Sequence, residues 1–387
     1  MSEKRKDNKG RVLKDGESQR KNGTYQYRYN DVKGNRKYVY APTLQDLRDK
    51  ERTIQNALIN GVDYCAGEMT VIALVKKYLA QKAGMRYNTR VGYNFVLNIL
   101  KEEPFAYRQI KTIKPSDAKE WFIKLKNDGR RYSSIQSIRG VVRPSFDMAV
   151  EEDILHKNPF SFTLTDIIPD DTIERKPLTE AEEKKLLAYI LEDKNRSRYY
   201  DPVVILLGTG LRISEMCGLT VSDLDFAGKR IHVERQLVRT RNCEYYLEKP
   251  KTENGERYIP MSDEVYQAFK RVLRDRVKPK IEVVVDGKCG FLFLDKDEKP
   301  KVAGHFEHAL KRIVDNYNAA HPDQLVVTPH VLRHTFCTKL ARAGMPIKEL
   351  QYLMGHSDVG TTLRIYTHLD YDAAAKSFQQ YASVAGI

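Results

Sequence analysis

The hydrophobic pattern of this chain breaks off at "NPFSFTLTDIIPDDTIERKP" (158–177). The stretch is rich in Pro, Asp and Thr and follows neither helical nor strand periodicity, so we predict a linker over 166–177. A new domain opens directly after it, because Thr179 and Glu182 have the spacing of an N-terminal capping box. With 387 residues the chain is also too long for one ordinary domain.

The first 64 residues form a basic segment of their own. Residues 1–40 contain twelve Lys and Arg against five Asp and Glu, a net charge of +7, whereas the whole chain carries +14. Such an excess favours a polyanion as partner through electrostatic steering and counterion release. The alternative is a solubilising tail.

A β-hairpin is predicted within this segment at "TYQYRYNDVKGNRKYVY" (24–40), where tyrosines alternate with polar residues on either side of a Gly34-Asn35 turn. An earlier strand is expected near 11–14. A helix follows from the cap Thr43. A basic sheet backed by one helix can enter the DNA major groove, although it could equally be a structural sheet with a tyrosine core.

Helices are expected over most of 65–165. The candidates are 70–81, 89–101, 116–127 and 133–152. Ser116 is predicted to cap the third, and Pro144 to kink or break the fourth. The apolar residues at helical spacing predict a core made of Trp121, Phe122, Leu125, Ile135, Ile138 and Val142. The basic residues leave a surface that is either solvated or in contact with DNA.

The remaining part, 178–387, mixes helical and strand patterns, which predicts an α+β domain. The segment "TPHVLRHTF" (328–336) begins with an N-cap threonine and a proline suited to the first helical position, so a helix starts there. His330 and Arg333 then share a face at the positive end of the helix dipole, which suits a phosphate. A zinc site at His330 and His334 would need further ligands that are not supplied nearby. A solvated helix end is the third reading.

Three other segments carry residues of the same chemical kind. In "LLGTGLRISEM" (206–216), Arg212 follows two glycines and Glu215 can orient it, but no Walker motif is present. In "EKPKTENGERYIP" (248–260), two strand-like pieces predict a hairpin with Lys251 at its tip. In "LMGHSDVGTTLRIYTH" (353–368), Gly355 ends one helix and Thr361 or Thr362 caps the next, which carries Tyr366. Taken singly, each feature has an ordinary structural explanation.

Together, the order of Arg, Lys, His-x-x-Arg, Gly-His and a Tyr ten residues on is similar to that of the tyrosine recombinases, or phage-type integrases. The pieces that carry the resemblance are "GLRISE", "PKTENGERYIP", "HVLRHTF" and "LMGHSDVGTTLRIYTH". They span roughly 178–370. The N-terminal stretch, from "MSEKRKDNKG" through "GESQRKNGTYQYRY", looks like integrases of conjugative transposons. The resemblance implies a multidomain, mainly α fold with small β-sheets: an arm-binding sheet-plus-helix domain (1–64), a helical core-binding domain (65–165) and an α+β catalytic domain with a C-terminal tail (178–387).

The resemblance also implies roles for individual residues. Tyr366 would be the nucleophile that forms a 3′-phosphotyrosyl bond. Arg212 and Arg333 would hold the scissile phosphate, because guanidinium groups are permanently charged and meet phosphate oxygens bidentately. His330 and His356 would be further hydrogen-bonding partners, with His330 as general base or relay.

Lys251 would be the acid for the leaving 5′-oxygen. Pro250 stands where the family often has Thr, so Lys249 competes for this role. The expected DNA contacts outside the catalytic domain are Arg28, Lys37, Lys76, Lys77, Arg90, Arg139 and Arg143. Since the phosphotyrosyl bond stores the energy of the original phosphodiester, no ATP, metal or other cofactor is expected.

The implied function is site-specific integration and excision of a conjugative transposon through Holliday-junction strand exchange. The alternatives are a type IB topoisomerase-like relaxer and a non-catalytic DNA-binding regulator. Expected partners are double-stranded DNA at core and arm sites, three further copies of the chain in a tetramer, an excisionase and a host DNA-bending protein. We expect the tail 373–387 to dock on a neighbouring protomer or on its own domain. With no apolar run near ~18 residues, a cytoplasmic protein is expected, and the resemblance implies a bacterial, nucleoid-associated one.

Overall fold

The structure is a computed structural model of the chain. It describes residues 5–31, 34–59, 68–172, 176–250 and 255–366, and residues 375 and 378 in addition. The chain divides into two compact units, Met1–Ile173 and Glu174–Ile387. A search of the described residues finds no helix with the length and apolar character that a membrane span requires.

The N-terminal part of the first unit is a three-stranded antiparallel sheet with one helix. The strands are β1 (Glu17–Gln19), β2 (Tyr25–Asn30) and β3 (Arg36–Ala41), in the order β1-β2-β3, followed by helix α1 (Leu44–Ile59). Tyr25, Tyr27 and Tyr29 are buried in one cluster with Leu44, Leu47 and Ile54 of α1. The predicted hairpin and its tyrosine core are therefore confirmed. Thr43 caps α1, since its hydroxyl accepts from the Asp46 amide at 3.1 Å.

The first strand lies later than expected. Residues 11–14 form no strand, and Val12 makes only an isolated bridge to Lys6. The reason is a local turn: the Asp7 carboxylate accepts from the backbone amides of Lys9 at 2.9 Å and Arg11 at 2.8 Å. A short polar side chain that binds the backbone nearby in this way competes with strand pairing.

Four helices form the second part of the first unit. They are α2 (Val71–Ala80), α3 (Tyr87–Glu102), α4 (Pro115–Asn127) and α5 (Tyr132–Glu151), close to the predicted ranges. All six residues predicted as core are buried. Two details differ. Helix α5 runs through Pro144 without the predicted break, and a kink there stays a prediction. The N-cap of α4 is Lys114, whose amide donates to Asp117 at 2.7 Å, because Pro115 takes the first helical position and places Ser116 inside the helix.

The start of the segment interpreted as a linker packs on this helical part. Ile168 is buried in the same core. The Asp171 carboxylate accepts from the Tyr132 amide at 2.9 Å, at the start of α5. The first unit therefore includes chain up to this point.

The second unit is mainly helical with two small antiparallel sheets. Its elements up to the second sheet are α6 (Glu180–Leu191), α7 (Lys194–Ser197), α8 (Tyr200–Thr209), α9 (Ile213–Cys217), β4 (Leu224–Asp225), β5 (Arg230–Val233), β6 (Gln236–Arg239), β7 (Tyr245–Glu248) and β8 (Arg257–Pro260). Five helices follow: α10 (Asp263–Asp275), α11 (Ala303–Ala320), α12 (Pro329–Arg342), α13 (Ile347–Met354) and α14 (Val359–Tyr366). The sheets are β4-β5-β8 and β6-β7. The mainly α fold class with small sheets is confirmed.

Helix α8 lies at the centre of this unit and contacts α10 and α12. Its glycines are packing residues: a Cβ at Gly208 would lie 2.3 Å from Cγ2 of Val265 on α10. Gly210 ends α8 at φ +63°, in the left-handed region that favours glycine. The predicted capping box of α6 is present, because the Thr179 amide donates to Glu182 at 2.8 Å and the Glu182 amide donates to the Thr179 hydroxyl at 3.2 Å.

The hairpin predicted over 248–260 is wrong. Strand β7 pairs with β6, whereas β8 pairs with β5 in the other sheet, so among the described residues the two strands do not pair with each other. Leu247 of β7 lies opposite Leu237, and Ile259 of β8 lies opposite Ile231. The sequence pattern located both strands but did not indicate their partners: β7 pairs with β6, the strand directly before it, and β8 pairs with the earlier strand β5. Lys251 and the expected turn residues before Gly255 lie outside the described residues.

Candidate functional site

The site begins at Arg212, which precedes the short helix α9. Its amide donates to Oε2 of Glu215 at 2.9 Å, and its guanidinium Nη1 donates to Oε1 of the same carboxylate at 2.7 Å. Glu215 thus orients Arg212 as the sequence suggested. The side chain of Arg212 keeps 36% of its surface exposed, so the guanidinium is both fixed and reachable.

Glu215 is the anionic centre of the site and is only 4% exposed. Besides Arg212 it accepts from Arg257 of β8, at 3.3 Å from Nη1 to Oε1 and at 2.9 Å from Nη2 to Oε2. Burial by itself would raise the pKa of Glu215. The charge and hydrogen bonds of Arg257, with the charges of Arg212 and Arg333, outweigh this and lower the pKa to about 2. The carboxylate is therefore ionised at neutral pH.

Arg333 supplies a second arginine from α12. The helix begins as predicted, since the Thr328 hydroxyl accepts from the Val331 amide at 3.2 Å and Pro329 takes the first position. Arg333 is 6% exposed, and its Nη1 donates to the Gly210 carbonyl at 2.5 Å. Burial and the neighbouring Arg212 lower the pKa of Arg333 to about 9, so its guanidinium stays charged at neutral pH.

The C-terminal end of α13 joins these arginines. Three consecutive carbonyls each accept from a different guanidinium: Leu353 from Arg257 Nε at 2.7 Å, Met354 from Arg333 Nη2, and Gly355 from Arg212 Nη2 at 3.1 Å. We call these carbonyls the carbonyl cradle. A helix C-terminus has unpaired carbonyls and a partial negative charge, so it is a natural acceptor for cations. Gly355 turns the chain out of the helix at φ +62°.

His356 follows the carbonyl cradle directly. Its ring Nδ1 lies 2.9 Å from the hydroxyl of Thr362 on α14, and its backbone is held by Gln351, whose Nε2 donates to the His356 carbonyl at 3.0 Å. Burial lowers the pKa of His356, and the charges of Arg333 and Arg212 lower it further, to about 4. The imidazole is therefore neutral at physiological pH and carries one N–H.

For the other three predicted catalytic residues, the structure gives a position in the chain's elements at most. His330 lies on the first turn of α12 and is exposed. Tyr366 is the last residue of α14. Lys251 is outside the described residues, as is almost all of the tail 373–387. Helix α14 begins at Val359, so Thr361 and Thr362 lie inside it and neither is its N-cap, contrary to the prediction.

The described part of the site carries three guanidinium groups against one carboxylate, a surplus of two positive charges. Low-dielectric surroundings strengthen the field of such charges. Fixed, partly buried cations with a neutral imidazole nearby suit a phosphate group whose negative charge increases during a reaction.

The described residues contain one group with metal-ligand geometry, and it lies elsewhere. His232, Glu234 and Glu256 place one ligand atom each within 4.8 Å of one another. Lys288 pairs with Glu234 at 3.0 Å, and the ring of His232 stacks on Tyr258. Neither His330 nor His334 belongs to that group.

The open face of the N-terminal sheet is basic and aromatic. The register places Arg28 opposite Tyr38, and Gln26 opposite Tyr40, on the face away from the tyrosine core. Arg28 is exposed, and Tyr38 and Tyr40 are 42% and 47% exposed. Lys37 pairs with Tyr29 instead, so it belongs to the helix-covered face and is partly buried.

The predicted DNA contacts in the helical part have different surroundings. Lys76 on α2 and Arg90 on α3 are exposed. Lys77 pairs with Glu152. Arg139 on α5 donates to the Phe162 carbonyl, and burial followed by the charge of neighbouring Arg143 lowers its pKa. Lys76 and Arg90 are thus the most accessible members of this set.

Sequence reasoning missed several residues that the structure places in the arginine site or on the open face of the N-terminal sheet. Arg257 is the most consequential, being 1% exposed and bonded to Glu215 and the carbonyl cradle. A signal was present: in "RYIP" the charged Arg257 alternates with buried Ile259, so it occupies an inward position of a strand. Thr362 was considered only as a cap. Tyr38 and Tyr40 were not separated from the core tyrosines.

Comparisons with known proteins agree across the chain. Residues 176–373 match the phage integrase family, and residues 1–58 match the DNA binding domain of Tn916 integrase. The transposase from transposon Tn1545 of Streptococcus pneumoniae is 45% identical over 97% of this chain and 96% of that protein. The transposase from transposon Tn916 of Enterococcus faecalis is 44% identical over the same shares. A solved structure of the Tn1549 transposon integrase with a circular intermediate DNA superposes with a TM-score of 0.77, at 42% identity, covering 81% of this chain and 100% of that one.

Proposed function

The chain belongs to the phage integrase family of tyrosine site-specific recombinases, and on this premise we propose that it integrates and excises a conjugative transposon. The observation that carries the proposal is that both the N-terminal and the C-terminal parts of the chain match integrase domains. Residues 1–58 match the DNA binding domain of Tn916 integrase, and 176–373 match the integrase family. Two transposon transposases align along 97% of the chain. The partner in this proposal is double-stranded DNA, and the similar Tn1549 integrase was solved in complex with a circular intermediate DNA.

The proposed reaction is a transesterification at one phosphodiester. The Tyr366 hydroxyl attacks the phosphorus and gives its proton to His330. The bond to the 5′-oxygen breaks, and that oxygen takes a proton from Lys251. A 3′-phosphotyrosyl bond replaces the phosphodiester, and attack by a 5′-hydroxyl of the partner duplex reverses the step. The proposed reaction uses neither ATP nor a metal ion.

The arginine geometry supports the proposed roles of Arg212 and Arg333. Both guanidiniums are held by fixed acceptors, so they need little reorganisation as negative charge develops on the phosphate oxygens. A preorganised donor of this kind typically lowers the activation barrier by about 3–4 kcal/mol. His356, neutral at physiological pH, serves as a hydrogen-bond donor to the same phosphate.

Two further parts of the chain bind DNA in this proposal. The open face of the N-terminal sheet, with Arg28, Tyr38 and Tyr40, reads arm sites in domain 1–64. The helical domain 65–165 contacts the core sites, with Lys76 and Arg90 as its most accessible predicted contacts. Residues 166–177 connect it to the catalytic domain 178–387, and their first part, through Asp171, packs on the helical domain. Separate arm and core modules favour a recombinase over a simple relaxer, which needs one DNA site.

Integration and excision require four strand exchanges, so we propose that four copies assemble on two duplexes through a Holliday junction. An excisionase and a host DNA-bending protein complete the proposed partners. The tail 373–387 docks on a neighbouring copy in this scheme and couples cleavage to assembly.

A covalent-trapping experiment tests the proposal. Labelled DNA from the ends of the element, with a nick that traps the cleaved strand, is incubated with the full chain in EDTA and then denatured. We expect a protein–DNA adduct that is absent with Tyr366→Phe, while both proteins shift the same DNA in a native gel. Binding without any adduct from the wild type would refute the catalytic assignment and favour a DNA-binding regulator.

A further inference from the structure

Thr362 is a buried polar residue to which no role in the reaction has been given. It is 0% exposed and lies on α14, four residues before Tyr366. Its hydroxyl oxygen is 2.9 Å from Nδ1 of His356. Four residues make slightly more than one helical turn, so Thr362 and Tyr366 lie on the same side of α14.

The protonation of His356 decides what this contact does. A neutral imidazole carries a hydrogen on only one of its two ring nitrogens, and a hydrogen bond at one nitrogen determines which. If Nδ1 donated to Thr362, Nε2 would present a lone pair and would repel a phosphate oxygen. If the Thr362 hydroxyl donates to Nδ1, Nε2 carries the hydrogen and can donate it to the phosphate.

Burial, and after it the surplus of positive charge around His356, lower its pKa and keep the ring neutral. The positively charged groups are Arg333, Arg212 and Arg257, and the negatively charged group is Glu215. With the ring uncharged, the choice between the two tautomers falls to the partner of Nδ1.

We propose that Thr362 is a positioning residue that holds His356 in the Nε2–H tautomer and ties its ring to the helix that carries Tyr366. This inference rests on the proposed cleavage chemistry, in which His356 donates to the scissile phosphate. Gln351 holds the backbone of His356 from α13, through its side chain at 3.0 Å and its carbonyl at 3.2 Å. The hydroxyl of Thr362 holds the ring from α14. Contacts from both α13 and α14 thereby fix the position of the imidazole.

The test compares three variants of the full chain. Thr362→Val keeps the shape of the side chain and removes the donor. Thr362→Ser keeps the donor. Thr361→Val makes the same Thr-to-Val change at the neighbouring, exposed position and is the matched control.

On a nicked substrate at saturating protein, we expect Thr362→Val to form the covalent adduct about tenfold to a hundredfold more slowly, the range for loss of an orienting hydrogen bond. Thr362→Ser should stay within about threefold of the wild type, because its hydroxyl can make the same bond. DNA affinity in a native gel should be unchanged in all three. Equal adduct rates for Thr362→Val and wild type would overturn the proposal. Absence of adduct from the wild type would instead refute the proposed function.

A second readout is independent of activity. Long-range ¹H–¹⁵N correlation spectra of the histidine-labelled protein distinguish the two tautomers, and a His356→Asn variant identifies the His356 signals among the nine histidines. We expect Nε2–H alone in the wild type and in Thr362→Ser, and a mixture of both tautomers in Thr362→Val. An Nδ1–H tautomer in the wild type would refute the inference, even if Thr362→Val were slow.

Discussion

Replacing Arg257 tests whether the site is held together by charge pairing inside the protein. Arg257→Met keeps the bulk of the side chain and removes donors to Leu353 O at 2.7 Å, Gly255 O at 3.0 Å and both oxygens of Glu215. Breaking a buried ion pair from one side costs about 3–5 kcal/mol. Because Glu215 keeps its contacts with Arg212, we expect the lower end, about 3 kcal/mol.

Hydrogen exchange of the full chain, followed by mass spectrometry, measures the loss of stability in the elements around Arg257. A loss of about 3 kcal/mol corresponds to roughly a hundredfold faster exchange of protected amides in β8 and α13. Trp121 is the only tryptophan and lies in the first unit, so its fluorescence should be unaltered and serves as an internal control. Arg274→Met is the matched substitution, since Arg274 forms an exposed pair with Asp275. Its expected cost is below about 0.5 kcal/mol.

The result that would contradict this reasoning is a change of less than about threefold in α13 exchange, or under about 0.7 kcal/mol. It would mean that the carbonyl cradle keeps its geometry without Arg257. Arg257→Lys provides an intermediate case, because an ammonium keeps the charge but lacks the planar fork that reaches Glu215 and a carbonyl together.

Two further predictions concern acid stability and DNA affinity. Glu215 has a folded pKa of about 2, below the ordinary glutamate value of 4.5, so its contribution to stability is fully present above pH 4.5 and is lost as the pH falls toward 2. The size of the pKa shift corresponds to about 3 kcal/mol of acid-dependent stability, which Glu215→Gln should abolish in hydrogen-exchange measurements of α13. The control is Glu264→Gln, on the exposed first turn of α10. If Glu264→Gln lost the same acid dependence, Glu215 would not be its cause. Arg28→Ala should weaken binding of the full chain to arm-site duplex and reduce the slope of log K against log salt by about one, in fluorescence anisotropy. Arg52→Ala, on the exposed side of α1, should leave the slope unchanged, and an equal effect of both would place the DNA elsewhere.

Local sequence signals predicted local structure well. Thr328 and Pro329 identified the start of α12, and Thr179 with Glu182 that of α6, because capping depends on residues within one turn. Where capping residues competed, the signals failed: Pro115 displaced Ser116 from the cap of α4. These errors are small since they move a boundary by one or two residues.

Contacts between different elements of the chain could not be predicted from the sequence in the same way. β7 and β8 are consecutive strands, yet each pairs with a different earlier strand, β7 with β6 and β8 with β5, and the sequence pattern does not show which strands pair. The arginines of the site were recognised through resemblance to a family, but their acceptors on α13 could not be, because main-chain carbonyls leave no mark in the sequence. Arg257 has a visible pattern as an inward charge on a strand, but its partner Glu215 lies 42 residues earlier in the chain.

The backbone acceptors at the end of α13 also bear on how such a chain can change over evolutionary time. Every amino acid offers a carbonyl, so most side chains of α13 can drift without removing an acceptor from the guanidiniums. An insertion or deletion within 347–355 would instead rotate the carbonyls by about 100° per residue and aim them elsewhere. The segment should therefore tolerate substitution far better than a change of length, with Gly355 as the exception because its φ of +62° disfavours other residues.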